Sequence, residues 1–179
     1  MIVDDESMNI KILMEALSDK YIIVASKNGK QALSRLEKKI PDLILLAIEM
    51  PDMNGYEICK LLKSNKNTKD IPVIFISAKS QMEDEKLGLE LGAVDYITKP
   101  FQISIVKAGV DTHLTLRQKT IELKNKTMEV INKNQEVAND LVMAQRIQQK
   151  LFYKYQSTSF FKIAVHSTPF SYVSGDIYK

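Results

Sequence analysis

Residues 42–55 read DLILLAIEMPDMNG, and the fold is decided by how this stretch is punctuated. Residues 43–46 form an unbroken apolar run after Pro41, the pattern of a strand buried on both faces of a parallel sheet. Pro51 and the Asn54-Gly55 pair then force a loop. In an open α/β sheet, chemistry sits just past the carboxyl ends of the strands, so position 47 is expected to face a site. An alanine stands there, where a reactive group would be expected.

Outward from this strand the same alternation of elements repeats. Residues 1–3 are a short apolar run stopping at Asp4-Asp5-Glu6, and Ser7 is placed to cap a helix whose apolar positions are Ile10, Leu13, Met14 and Leu17. Residues 21–25 read as a second strand, Asn28-Gly29 as a turn, and 31–39 as a second helix with Ala32, Leu33 and Leu36 on one face. On the other side come a helix from 56 to about 63, a strand over 73–76 ending at Ser77-Ala78, a helix over 83–91 stopped by Gly92, and a strand over 94–98 ending at Lys99-Pro100. Five such units with short links imply an α/β fold, a doubly wound five-stranded parallel sheet with helices on both faces.

Composition fits one ordinary domain plus an extension: 179 residues, 45% hydrophobic. The net charge is 25 − 22 = +3, but residues 1–112 carry 15 basic and 17 acidic side chains and the remainder 10 and 5. That basic tail reads as a solvated helix face, because no dense Lys/Arg cluster with interleaved aromatics marks a nucleic-acid surface. Cys59 is the single cysteine, which excludes a disulfide framework and points to a reducing cytosol. No apolar run approaches the roughly 18 residues of a membrane span and no signal peptide opens the chain, so a cytoplasmic location without membrane attachment is expected.

The strand ends can be compared directly. The first ends in two carboxylates (Asp4, Asp5), the fourth in a hydroxyl (Ser77), the fifth in an amine (Lys99) and the third in Ala47. Each alone has a structural explanation: a dipole-stabilising acid pair, a strand-end serine, a loop lysine. Together at one edge of one sheet, hard carboxylate oxygens, an ammonium and a hydroxyl suit Mg²⁺ and a phosphoryl group.

Through VDDE (3–6), DLILLAIEMPDMNG (42–55), FISA (75–78) and DYITKPF (95–101), residues 1 to about 112 resemble the receiver domain of bacterial two-component response regulators. The resemblance implies a flavodoxin-like receiver, with the domain boundary placed at residue 102. It also implies that Asp4 and Asp5 hold Mg²⁺ together with the backbone carbonyl of Glu49, and that Lys99 and Ser77 bind phosphoryl oxygens. Tyr96 would be the aromatic that turns inward when Ser77 moves, and a sensor histidine kinase would be the partner. The departure lies at Ala47, where the family carries the phospho-accepting aspartate. A methyl group cannot act as a nucleophile toward a phosphohistidine, so phosphotransfer to this position is expected to be absent. Loss of the carboxylate should also weaken Mg²⁺ binding and let Lys99 lean toward Asp4 or Asp5. Either a deliberate substitution trapping the unphosphorylated state or a naturally degenerate receiver would account for the alanine. The retained carboxylates and lysine favour substitution.

Residues 110–168 contain neither Gly nor Pro, and one helix is expected from about 103 to 152, on the order of 75 Å at 1.5 Å per residue. Leu116, Leu123, Val130, Val137, Ala144 and Leu151 recur every seven residues as d positions, with Thr120, Thr127, Asn134, Leu141 and Gln148 at a. Residues 103–156 are therefore expected to form a helical linker that pairs as a modest parallel homodimer; a single helix packed on a missing domain is the alternative. His113 reads as a surface or interface residue, since no second metal ligand lies at helical spacing.

Residues 161–165 alternate as a strand, and Pro169 and Gly175-Asp176 interrupt the chain after it. AQRIQQKLF (144–152) and VSGDIY (173–178) resemble the opening of bacterial metal-dependent (PPM-type) serine/threonine phosphatase domains, although Tyr153 stands where proline is common and Lys179 where an acid is often found. That resemblance implies that Asp176 binds a catalytic Mn²⁺ or Mg²⁺, that residues 157–179 begin a phosphatase domain, and that the remaining ligands lie beyond them, leaving this chain inert as an enzyme. A phosphoserine protein such as an anti-sigma factor antagonist would be the substrate. The alternatives are a non-enzymatic adaptor, in which a pseudo-receiver and coiled coil bind a partner protein, and a cyclic-dinucleotide cyclase. The last is disfavoured because Ser174-Gly175-Asp176-Ile177 lacks the Gly-Gly-Asp-Glu string such cyclases need.

Overall fold

The computed structural model describes residues 1–78 and 82–156. Their elements run β1 (Ile2–Val3), α1 (Ser7–Leu17), β2 (Ala25–Ser26), α2 (Gly29–Lys38), β3 (Ile44–Ala47), α3 (Gly55–Ser64), β4 (Val73–Ser77), α4 (Met82–Glu90), β5 (Asp95–Thr98) and α5 (Ile103–Gln156). The strands form one sheet in the order β2-β1-β3-β4-β5, every pair parallel. This is the flavodoxin-like doubly wound arrangement, with the switch in winding between β1 and β3.

The apolar run of β3 is explained by its two faces. Ile44 and Leu46 join Ala32, Leu36, Ile58, Cys59 and Leu62 from α2 and α3 on one side. Leu43 and Leu45 join Ile10, Leu13 and Leu17 of α1 and Val106 and Val110 of α5 on the other. Successive residues of a strand point to opposite faces, so a central strand covered by helices on both sides must be apolar throughout. Full burial of one such leucine is worth about 1.5–3 kcal/mol, which makes β3 the seam between two cores.

Two sequence expectations are corrected. β2 is confined to Ala25–Ser26 rather than 21–25, because its partner β1 has only two residues; Val24 still accepts from the Ile2 amide at 2.8 Å. Ser7 does not cap α1: Glu6 is the cap residue and makes no side-chain cap bond, while the Glu6 N–H donates to Asp4 Oδ1 at 2.9 Å. The capping at Asn54 is strong by contrast, a reciprocal box with Glu57 that fixes where α3 starts below β3.

The chain divides into two compact units, Met1–Thr120 and Ile121–Lys179. The first holds the sheet, α1 to α4 and the opening turns of α5. In the second, α5 carries Glu122–Lys126 and Glu129–Lys133 pairs at 2.9 and 2.8 Å, each worth about 0.2–0.5 kcal/mol to a solvated helix. Among the described residues no helix is long and apolar enough to cross a membrane. The strand expected at 161–165 and the residue Asp176 lie outside the described residues.

Candidate functional site

β3 ends on Ala47, 1% exposed and in register with Ile76 of β4. Around that end the sheet gathers the groups its strand termini carry. Asp4, just past β1, is 1% exposed, and Ser77, the last residue of β4, is fully buried. Lys99, just past β5, places Nζ 3.0 Å from Asp4 Oδ2 and 3.5 Å from Glu6 Oε1. Since β1 and β5 are three places apart in the sheet, this side chain reaches across the carboxyl ends of β4 and β3. The ammonium is thus paired with the buried Asp4 carboxylate and with the exposed Glu6.

Asp4 is fully engaged. Oδ1 accepts from the Glu6 amide at 2.9 Å and from Asn9 Nδ2 at 3.1 Å; Oδ2 accepts from the same Asn9 nitrogen at 3.1 Å and from Lys99. Asp5 is exposed, and the second partner of Lys99 is Glu6. Ser77 Oγ donates to the Glu49 carboxylate, 2.9 Å from Oε1 and 3.2 Å from Oε2. Glu49 thus enters the site through its side chain, a role that the expectation of a carbonyl ligand did not contain.

The retained oxygen donors have the chemistry Mg²⁺ prefers, but Lys99 competes for the same Asp4 oxygen. Among the described residues no three His, Cys, Asp or Glu side chains are grouped to hold a metal ion.

Tyr96 of β5 lies opposite Phe75 of β4 in the ladder, and their rings meet edge-on at 6.5 Å. Phe75 meets Tyr56 of α3 edge-on at 5.2 Å, and the Tyr56 hydroxyl donates to the Asp84 carbonyl of α4 at 3.1 Å. Burial, and then the neighbouring Tyr96 and Asp84, push the Tyr56 phenol up to about 12, so it remains a neutral hydrogen-bond donor across the physiological range. His113 faces the domain rather than solvent: its side chain is 17% exposed and its Nε2 lies 3.3 Å from Asp95 Oδ2.

Sequence reasoning missed Glu49 and Glu6 as side-chain partners and the pairing of Asp95 with His113. Glu49 was signalled by its place two residues past Ala47 on the loop leaving β3. Nothing local marks a bond between residues 18 positions apart.

Several known proteins are similar to this chain in sequence or fold. A probable cyclic di-GMP phosphodiesterase of Vibrio cholerae is 49% identical over 114 residues, covering 64% of this chain and 26% of that protein. The alkaline phosphatase synthesis transcriptional regulatory protein PhoP of Bacillus subtilis is 39% identical over 111 residues, covering 62% and 45%. The chain therefore spans about a quarter to a little under half the length of these curated relatives. The crystal structure of a signal receiver domain from a signal transduction histidine kinase of Syntrophus aciditrophicus superposes with a TM-score of 0.60 at 34% identity, covering 64% of this chain and 87% of that one. The model of the response regulator receiver domain matches residues 1–111. With a flavodoxin-like sheet and an acid–lysine–hydroxyl rim over most of its length, the chain belongs to the response regulator receiver domain family of two-component systems.

Proposed function

We propose that this chain is the regulatory half of a response regulator, held in its unphosphorylated arrangement by the alanine at 47. The observation carrying this reading is the 3.0 Å pair between Lys99 and Asp4, reaching across a strand end that offers no carboxylate. A sensor histidine kinase is the partner the receiver is built to meet, and Ala47 removes the group that would accept its phosphoryl. Asp4, Asp5 and the Glu49 carbonyl are the Mg²⁺ ligands of this reading, weakened because Lys99 competes for Asp4. Ser77 and Tyr96 are its switch residues.

The domain plan of this reading is a receiver over 1–102, a helical linker over 103–156 and the start of an output domain over 157–179. Self-association of the linker is supported by Leu116, Leu123, Val130 and Val137, which are 56, 64, 56 and 57% exposed at heptad spacing along α5. Thr120 and Thr127, at the intervening a positions, donate their hydroxyls to the Leu116 and Leu123 carbonyls at 2.9 Å. A threonine bonded back to its own helix has only a methyl left to pack, which suits a seam. The occupant of that seam is a second copy of α5. A Leu123→Glu, Val130→Glu variant should sediment as a monomer where the parent sediments as a dimer. A monomeric parent at micromolar concentration would remove the coiled coil from the reading.

For the output, the reading is a metal-dependent phosphoserine phosphatase using Mn²⁺ or Mg²⁺ at a site that includes Asp176. Its support is the sequence of residues 144–152 and 173–178 alone. The curated relatives match within the receiver, so their own outputs do not transfer. A longer form of the protein should hydrolyse a phosphoserine peptide with Mn²⁺ and lose that activity on Asp176→Asn. No hydrolysis would leave the adaptor, a pseudo-receiver that dimerises and binds a partner protein.

A further inference from the structure

We propose that Asp95 and His113 form the joint through which β5 sets the position of α5, an inference that rests on the switch reading of Ser77 and Tyr96. Asp95 opens β5 and bonds in two directions. Its Oδ1 accepts from the Tyr96 backbone N–H at 2.8 Å, and its Oδ2 lies 3.3 Å from His113 Nε2 on α5. One carboxylate therefore holds the strand that carries the switch aromatic and the helix that leaves the domain.

The helix is shaped to come close at this point. One turn before His113 stands Gly109, where an added Cβ would lie 3.4 Å from the same Asp95 Oδ2 and 3.9 Å from Ile74 Cδ1. A methyl group there would sit in ordinary van der Waals contact with these atoms, so the helix backbone runs within one side-chain layer of the Asp95 carboxylate, and a larger side chain would crowd it. Val106 and Val110, both buried, seat the same turns against the sheet. The other polar anchors of α5 reach loops instead: Asp111 bonds Lys20 at 2.9 Å and the Tyr21 hydroxyl, and Arg117 donates to the Asp70 carbonyl at 2.7 Å. Those contacts fix α5 to parts of the domain remote from Ser77. His113 fixes it to the strand that pairs with Ser77 through Thr98 and ends beside Lys99.

A strand is stiff along its length, so a displacement at the Lys99 end of β5 is carried to Asp95 and, through His113, to α5. His113 is here a positioning residue and touches no phosphoryl group. The test uses the full chain with Ala47→Asp, beryllium fluoride and Mg²⁺ as the phosphoryl analogue, and amide hydrogen exchange of β5 and of residues 103–117 as readouts. With His113 present, both segments should change their exchange on adding the analogue. With His113→Ala the β5 change should persist and the α5 change be lost, and His113→Gln, whose amide can occupy the Nε2 position, should restore it. An α5 response of equal size in His113→Ala would overturn the joint and leave the switch intact. No response in either segment of the parent would overturn the switch reading and the joint with it.

Discussion

An Ala47→Asp variant incubated with acetyl phosphate and Mg²⁺ should acquire a hydroxylamine-sensitive phosphoryl group approaching one per chain, while the parent acquires none at this rim. The chemistry is a displacement at phosphorus: an oxygen of the new carboxylate bonds phosphorus, the bond to the acetyl oxygen breaks, and acetate leaves with that electron pair. The methyl side chain of Ala47 has no lone pair to offer. In the proposed reading Lys99 and Ser77 are the groups that meet the product, Lys99 on turning from Asp4 and the Ser77 hydroxyl on leaving Glu49. The same substitution should carry a stability cost. Position 47 is 1% exposed, and a carboxylate placed there joins the buried Asp4 in sharing a single ammonium. Without divalent metal the variant should therefore melt below the parent, by about 1–3 kcal/mol in stability, and Mg²⁺ should restore part of the loss. Thermal melts in chelator and in Mg²⁺ measure this. Label on the parent at the β3 rim, or an intact variant that takes up none, would contradict the role given to position 47.

How far a feature can be read in advance depends on whether its signal is local. The strand over 43–46 was legible because burial on two faces leaves a continuous apolar run, and the sheet places its alternate residues in two separate cores. Strand ends were legible as well, since Asp4, Ser77 and Lys99 each stand where an apolar run stops. Which ends would touch was not. Lys99 meets Asp4 by reaching across the ends of β3 and β4, which the strand order places between them, and its second partner, Glu6 rather than Asp5, reflects how the chain turns into α1. The misplaced β2 has the same origin: Tyr21 to Val24 carry good strand residues, but a ladder needs a partner and β1 has two residues to give. Ser7 failed as a cap because the helix starts one residue early: Ser7 is already its first helical residue, and the extended residue before it is Glu6. The heptad spacing of α5 was legible as a pattern, and the exposure of Leu123 and Val130 leaves it unexplained within one chain.

The second large effect is expected at Gly55, the last residue of the stretch that organises the sheet. Its amide donates to the Ile48 carbonyl at 2.9 Å, which folds the loop after β3 back onto the strand end. A Cβ on residue 55 would lie 2.3 Å from the Ala47 carbonyl oxygen and 2.9 Å from Ile48 Cα. Those neighbours are backbone atoms, and no rotamer change relieves them. Ordinary overpacking costs about 1–3 kcal/mol, and a clash with the main chain of a central strand belongs at or above the top of that range. Against a total of about 5–15 kcal/mol for a domain, Gly55→Ala should lower the melting temperature by on the order of 10 °C or more. Gly92→Ala supplies the comparison. Gly92 has φ +92°, so alanine there is strained, yet the three atoms nearest its Cβ would be carbons of the Lys63 side chain at 3.4–3.5 Å, an ordinary contact distance. Its loss should be smaller, about 1 kcal/mol. If Gly92→Ala proved the more damaging of the two, close packing behind β3 would not be what fixes this rim. The crowding has a chemical consequence besides, because the oxygen it displaces belongs to residue 47. In the Ala47→Asp background, Gly55→Ala should slow labelling by acetyl phosphate even at temperatures where the fold persists, since misplacing a nucleophile by a fraction of an ångström is enough to cost rate.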